Sequence, residues 1–280
     1  ERTHHLHAMK ATTPLGHGGP AALAPLQTWT TIHFETSRFA ALQAAVAQQL
    51  RCEPMELGQL HLHEADQSSA PRKSRRRTTG KRADPIALRE LVLAYREFVC
   101  AVVAPHVADA FAGDCCEMAF QAMPSLRVVL PNPKHANGQR HRDSSYGHQP
   151  GQVNFWLPLC PAFKSNTLWV EGLYGGGDER AVPLEGDFGV LHRFHGHSLY
   201  HYTVPNETPS TRVSLDFRVV PGPCYEDDYE GSRLLSRTGE HRQAFFVGGY
   251  YAMARRRTDG SWQVAQDAAG LVRGNAARQS

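Results

Sequence analysis

Apolar and polar positions alternate in short bursts through the middle of this 280-residue chain, and follow a helical period only nearer its start. Residues 27–34 alternate enough (Trp29, Ile32, Phe34) to predict a strand. Thr36 or Ser37 then opens a helix whose apolar positions Phe39, Leu42, Ala45, Val46 and Leu50 share one face. Asp84-Pro85 is a second helix start, an Asp cap followed by Pro at the first helical position. Ile86, Leu88, Leu91, Val92, Tyr95, Phe98, Val99 and Val102 give that helix a broad apolar face as far as Pro105, so it should lie against a sheet. After Asp114 the period shortens to two. Strands are predicted at 125–130, 152–159, 167–171, 181–184, 188–194, 200–204 and 212–219, separated by turn residues at short intervals. Two more, at 245–253 and 261–264, flank the hairpin signal Asp259-Gly260. Short strands without helices between them indicate an all-β sandwich or barrel.

The stretches without a period mark the edges of this plan. Residues 1–27 are rich in Gly, Pro and Ala and read as an irregular lead-in, with His4, His5 and His7 in a disordered terminus. Residues 64–82 turn to Ser, Pro, Lys and Arg, and the last dozen residues are small and polar. Gly172 with Gly175-Gly176-Gly177 has neither a following helix nor a Lys-Ser/Thr, which makes it a hairpin tip rather than a phosphate loop. No repeat or clear boundary divides the chain. One domain is expected, with supporting helices and strand over 28–124, a β core over 125–221, a C-terminal extension over 222–266 and a disordered tail over 267–280.

Composition changes this picture little. Hydrophobic residues at 41% and charged residues at 20% are ordinary for a globular protein. The net charge of +3 is small, and much of the excess is confined to Lys73, Arg75, Arg76, Arg77, Lys81 and Arg82. No aromatics interleave that basic segment (72–82), so it reads as a solvated loop before a nucleic-acid contact. No apolar run is read as reaching the roughly 18–20 residues that span a bilayer. The six cysteines show no CxxC spacing, which argues against a zinc module or a dense disulfide scaffold and suggests a reducing, cytoplasmic setting. The chain opens without Met or a signal-peptide core and reads as the interior edge of a longer product.

The chemistry concentrates between His141 and Ser214. His141-Arg142-Asp143 at a strand end puts His and carboxylate on one side, because residues two apart share a face. A third His from a later strand would complete a two-His-one-carboxylate triad, which leaves three positions open on Fe(II) for a bidentate cosubstrate and O2. His192, His195, His197 and His201 compete for that place, and His195 with His197 forms an HxH of the cupin type. His201 is preferred, because Pro205-Asn206 and a turn lead from it to Arg212, whose guanidinium can grip a dicarboxylate. Ser214 faces the same way and adds a hydroxyl. Asn154 and Trp156 lie on one face of their strand, which can line the pocket, and Asn154 reads equally as a bond to cosubstrate or substrate and as a structural amide. Tyr146 and His148 follow the HxD in a loop suited to substrate contacts. Arg140 and Arg142 read as solvated or structural, and Trp169 and Phe217 as core.

Further motifs carry a family resemblance. Val182-Pro-Leu-Glu-Gly186-Asp187, Phe194-His-Gly196, Leu199-Tyr-His201 and Pro205-Asn206 resemble the Fe(II)/2-oxoglutarate dioxygenases of the phytanoyl-CoA hydroxylase superfamily. Within it, His141-Arg-Asp143, Tyr146-Gly-His148, Val153-Asn-Phe-Trp-Leu-Pro-Leu159 and Thr211-Arg-Val-Ser-Leu-Asp-Phe-Arg218 are most similar to the StrG-like branch of streptomycin biosynthesis. The resemblance covers residues 125–221. It implies a mainly β, double-stranded β-helix core of the jelly-roll or cupin type, braced by the N-terminal helices. It also implies Fe(II) on His141, Asp143 and His201, 2-oxoglutarate on Arg212 and Ser214, O2 as oxidant and ascorbate as an accessory reductant. Halogenating members replace the carboxylate with a small residue, so Asp143 favours hydroxylation or another oxidation of a small-molecule substrate. An oxygenase acting on nucleic acid or protein through segment 72–82 and a cupin-like isomerase or binding protein using His195 and His197 are the competing readings.

Overall fold

The computed structural model describes residues 23–65, 84–112, 114–172, 180–235 and 241–267. The basic segment, the glycine-rich patch from Gly175, the early histidines and the polar tail lie outside them. In chain order the described elements are α1 (Ala24–Gln27), β1 (Thr30–His33), α2 (Ala40–Leu50), α3 (Leu60–Ala65), α4 (Pro85–Phe98) and α5 (Ala104–Asp109). Strands follow: β2 (Glu117–Gln121), β3 (Ser125–Val129), β4 (Val153–Pro158), β5 (Leu168–Glu171), β6 (Ala181–Leu184), β7 (Val190–Phe194), β8 (His201–Tyr202) and β9 (Arg212–Pro221). The C-terminal extension adds β10 (Arg233–Leu235), β11 (His241–Gln243), β12 (Tyr251–Arg256) and β13 (Trp262–Gln266).

These build the double-stranded β-helix. The major sheet runs β1-β7-β4-β9-β2-β12-β13, with β3 also paired to β9, and the minor sheet runs β6-β5-β8. Strand β9 is the spine. Over ten residues it pairs with β4 along one edge, and with β3 then β2 along the other. Its side chains divide by the period of two. Val213, Leu215, Phe217 and Val219 enter the main core with the helices, while Arg212, Ser214, Asp216 and Arg218 point to the opposite face. Strand β4 divides the same way. Val153, Phe155 and Leu157 join the main core, and Trp156 joins a second cluster with Phe194 of β7 and Val170 and Leu184 of the minor sheet. The space between the sheets is therefore lined by the even-numbered residues of β4, β7 and β9.

Helices α2 and α4 brace the outer face of the major sheet. Tyr95 packs edge-on against Phe217 at 5.2 Å and donates its hydroxyl to the Gln121 carbonyl at 2.9 Å. Phe39, Phe34 and Phe98 form an edge-to-face cluster with centroids 4.9–5.7 Å apart. Each fully buried ring contributes on the order of 2 kcal/mol. Asp84 caps α4 by accepting from the Ile86 amide at 2.9 Å.

Four expectations need correction. The α4 path does not stop at Pro105. A π-turn at Val99–Val103 lets the helical path continue into α5, with Pro105 in its first turn, where a missing N–H costs nothing. Together these make Pro85–Asp109 long and apolar enough to cross a membrane by length and composition, contrary to the sequence reading, but half of the apolar window is buried in the fold. Strand β2 was missed, since four of its five residues are buried and no alternation betrays it. Strand β12 starts at Tyr251, because residues 245–250 form turns that fold Phe245 and Tyr250 back toward the core.

Candidate metal centre

His141 and His201 meet as a directly opposed antiparallel pair, each amide bonded to the other's carbonyl at 3.2 and 2.9 Å. Their ring centroids are 4.3 Å apart. The Nδ1 of His141 donates to the Gln139 carbonyl at 2.7 Å and that of His201 to the Leu199 carbonyl at 3.1 Å. Each bond assigns the proton to Nδ1 and leaves the Nε2 lone pair free, the arrangement a metal-ligating imidazole needs. Asp143 starts a 3-10 turn that Gly147 ends in the left-handed region at φ 82°. Its Oδ1 lies 3.9 Å from Nε2 of His141 and 3.6 Å from Nε2 of His201.

The ligand atoms of these three residues lie within 4.8 Å of one another, and among the described residues they are the group that meets this condition. Two neutral imidazole nitrogens and one carboxylate suit a divalent first-row ion such as Fe(II), so the donor set fits the metal that the sequence implies. His195 and His197 are placed otherwise. Nε2 of His195 bonds the Pro150 carbonyl at 3.0 Å, and the pair's centroids are 5.7 Å apart without a carboxylate completing the set. His192 stacks between Trp29 and Trp156.

Asp143 is fully buried and strongly held. Its Oδ2 accepts from Gln152 Nε2 at 2.7 Å, Asn154 Nδ2 at 2.6 Å and Arg218 Nε at 3.0 Å. Burial alone would raise its pKa, but the charge and hydrogen bonds of Arg218 bring it well below the ordinary carboxylate range. Burial in turn lowers the pKa of His201, which favours the neutral ligand form. Asn154 thus contacts Asp143, the structural-amide role that the sequence left open beside a cosubstrate contact. Gly196 permits this approach: its carbonyl accepts the Asp143 amide at 2.9 Å, and a Cβ there would sit 2.6 Å from the Asn154 amide atoms. Arg218 and Gln152 had been given no role. The signal for Arg218 was the register of β9, which puts it on the same face as Arg212 and Ser214.

Arg212 is 3% exposed. It donates through Nη1 to the Asn166 carbonyl at 3.1 Å and lies 5.9 Å from the Trp156 ring. Among the described residues its Nε has no partner, and neither has the buried Ser214 hydroxyl two residues on. Burial lowers the Arg212 pKa to about 10. A buried cation and a buried hydroxyl on one strand face, both with spare donors, suit an incoming carboxylate. Trp156 walls this site and is itself buried, whereas Tyr146 is 53% exposed and packs edge-on over His141 at 5.2 Å. His148 is buried and stacked on Phe245 of the C-terminal extension at 3.8 Å. Arg140 forks onto Glu171 at 2.6–2.8 Å and lies over the Tyr200 ring.

Comparison with known proteins follows this geometry. Over 125 residues the chain is 41% identical to the streptomycin biosynthesis protein StrG of Streptomyces griseus. It is a homologue of StrG. The match takes in 44% of this chain and spans 58% of StrG's length. No family model matches the chain. EctD from S. alaskensis, in its apoform, shares the fold with a TM-score of 0.52 and 17% identity, covering 80% of this chain and 82% of that one. The alpha ketoglutarate dependent carbocyclase SnoK from nogalamycin biosynthesis overlays at 0.47 and 12% identity, over 84% and 94% of the two chains, too loosely to carry an argument.

Proposed function

We propose that the chain is a non-haem Fe(II)/2-oxoglutarate-dependent oxygenase that hydroxylates or otherwise oxidises a small polar metabolite, with release of succinate and CO2. The observation that carries this reading is the convergence of His141, Asp143 and His201 in one buried cluster, with the unpartnered donors of Arg212 and Ser214 on the strand that also supplies Arg218. The resemblance of the same residues to the phytanoyl-CoA hydroxylase superfamily agrees with it. StrG's name, a streptomycin biosynthesis protein, supports a small-molecule substrate.

When bound at the triad, Fe(II) supplies redox activation of O2 and Lewis acidity toward a keto acid. The chain's own residues supply the rest. Gln139 and Leu199 hold the two imidazoles as ligands through their carbonyls. Arg212 takes the far carboxylate of 2-oxoglutarate, with Ser214 adding a hydroxyl bond. Their burial keeps water from that charge pair and strengthens it. Tyr146, exposed beside His141, stands where a substrate enters.

Anaerobic addition of Fe(II) and 2-oxoglutarate is expected to give the weak visible charge-transfer band of the keto acid chelate, and Arg212→Ala is expected to abolish it. Wild-type protein that binds iron without that band would refute the cosubstrate assignment. Succinate release across a metabolite panel then identifies the substrate.

A further inference from the structure

Asp143 is held more completely than a metal ligand requires. A carboxylate oxygen offers about two lone-pair directions. Three donors reach Oδ2 (Gln152 Nε2, Asn154 Nδ2 and Arg218 Nε), so that oxygen is saturated. Among the described residues Oδ1 accepts only Arg218 Nη2, at 3.1 Å, and it is the oxygen that faces Nε2 of both histidines. We propose that Arg218, with Gln152 and Asn154, restricts Asp143 to ligation through one oxygen and so sets at three the coordination positions left open on the metal. The inference rests on the metal-centre reading above and assigns the number of open positions to residues that do not touch the metal.

The cage is itself braced from three strands. Arg218 Nη1 donates to Asp216 Oδ1 at 3.2 Å and to Gln121 Oε1 of β2 at 3.4 Å. Asp216 accepts from Arg127 of β3 at 2.5 Å, so the charges alternate along Arg127, Asp216, Arg218 and Asp143. Gln152 is steadied by the Tyr251 hydroxyl of β12, which donates to its Oε1 at 3.4 Å. If Asp143 turned to offer both oxygens, three buried donors would lose their acceptor. Two imidazoles plus a two-oxygen carboxylate leave only two places on a six-coordinate ion. A keto acid chelate and O2 need three. Arg218 is therefore a positioning residue.

The test uses the full chain with Mn(II) alone, counting metal-bound deuterated water by electron spin echo spectroscopy and measuring Mn(II) affinity beside apoprotein melting temperature. Wild type is expected to hold three waters. Arg218→Met is expected to hold two, with affinity at least about tenfold weaker, as for other outer residues that orient ligands. Arg218→Lys keeps the charge but not the fork and is expected to follow the Met variant in water count. Gln152→Met is close in volume and leaves the ion pair intact, so it carries the test if Arg218→Met does not fold. Its expected mean count lies between two and three. Two waters in wild type, or three in both Arg218→Lys and Gln152→Met, overturns the proposal, even if melting temperatures fall. Failure of wild type to bind Mn(II) or Fe(II) at all refutes the metal-centre reading instead.

Discussion

Arg212→Met should make the ligand-free protein more stable while removing cosubstrate binding. Arg212 is 3% exposed, and among the described residues its hydrogen bond goes to the Asn166 backbone carbonyl. Burial lowers its pKa by between two and three units from the ordinary guanidinium value, to about 10. At 1.36 kcal/mol per unit, retaining this cation costs the fold about 3 kcal/mol. Loss of the bond to Asn166 offsets roughly 1–2 kcal/mol of that gain. Met fills a similar volume beside Trp156, so a net stabilisation of about 1–2 kcal/mol is expected, or roughly 2–3 °C in melting temperature for a chain of this size. The pH dependence has a definite sign. The folded pKa is below the unfolded one, so wild-type stability rises as pH increases above about 10, and the variant lacks that rise. Denaturant melts and calorimetry of both proteins, with and without 2-oxoglutarate, measure this. The wild type should gain stability from the ligand and the variant should not. A variant destabilised by more than about 1 kcal/mol would show that Arg212 serves an internal partner, and would refute its role as a waiting carboxylate receptor.

The other predictions can be checked on the same material. His201→Ala should abolish stoichiometric Fe(II) binding in a metal titration, whereas His195→Ala and His197→Ala should retain it. Loss of metal in the latter pair would move the centre to the HxH. Gly196→Ala should drive its Cβ into the Asn154 amide, costing about 1–3 kcal/mol in denaturant melts and weakening metal binding, because the same backbone holds Asp143. Burial, reinforced by Arg218, lowers the His148 pKa to about 3, so stability should fall as pH drops from 6.5 toward 3. His148→Phe keeps the stack on Phe245 and should flatten that fall by roughly 3 kcal/mol between pH 6.5 and 4, as read from acid titration of the unfolding midpoint.

Much of this protein can be read along the chain because the relevant chemistry is local or periodic. The alternation in β3, β4, β7 and β9 marks strands, and the spacing of His141 and Asp143 puts both on one side. The distance from His201 to Arg212 and Ser214 picks His201 for the triad and Arg212 with Ser214 as the proposed carboxylate receptor. These patterns depend only on strand period and side-chain chemistry, so a single sequence carries them. Strand β2 escaped because a strand buried on both faces has no alternation to read. The path through Pro105 escaped because a π-turn is a backbone adjustment that no residue type announces.

The tertiary structure alone decided what surrounds Asp143. Its donors come from Gln152, Asn154 and Arg218, and their supports from Gln121, Arg127 and Tyr251, over sequence separations from 9 to 99 residues. No periodicity links such positions, because cross-strand register is a product of folding and not of local spacing. The same holds for Asn154 and His148, for which sequence left a ligand contact open and which the fold turns toward the carboxylate and the C-terminal extension. Identity and order of the reacting groups belong to the chain, while their freedom to move is set by residues that meet only when the sheets close.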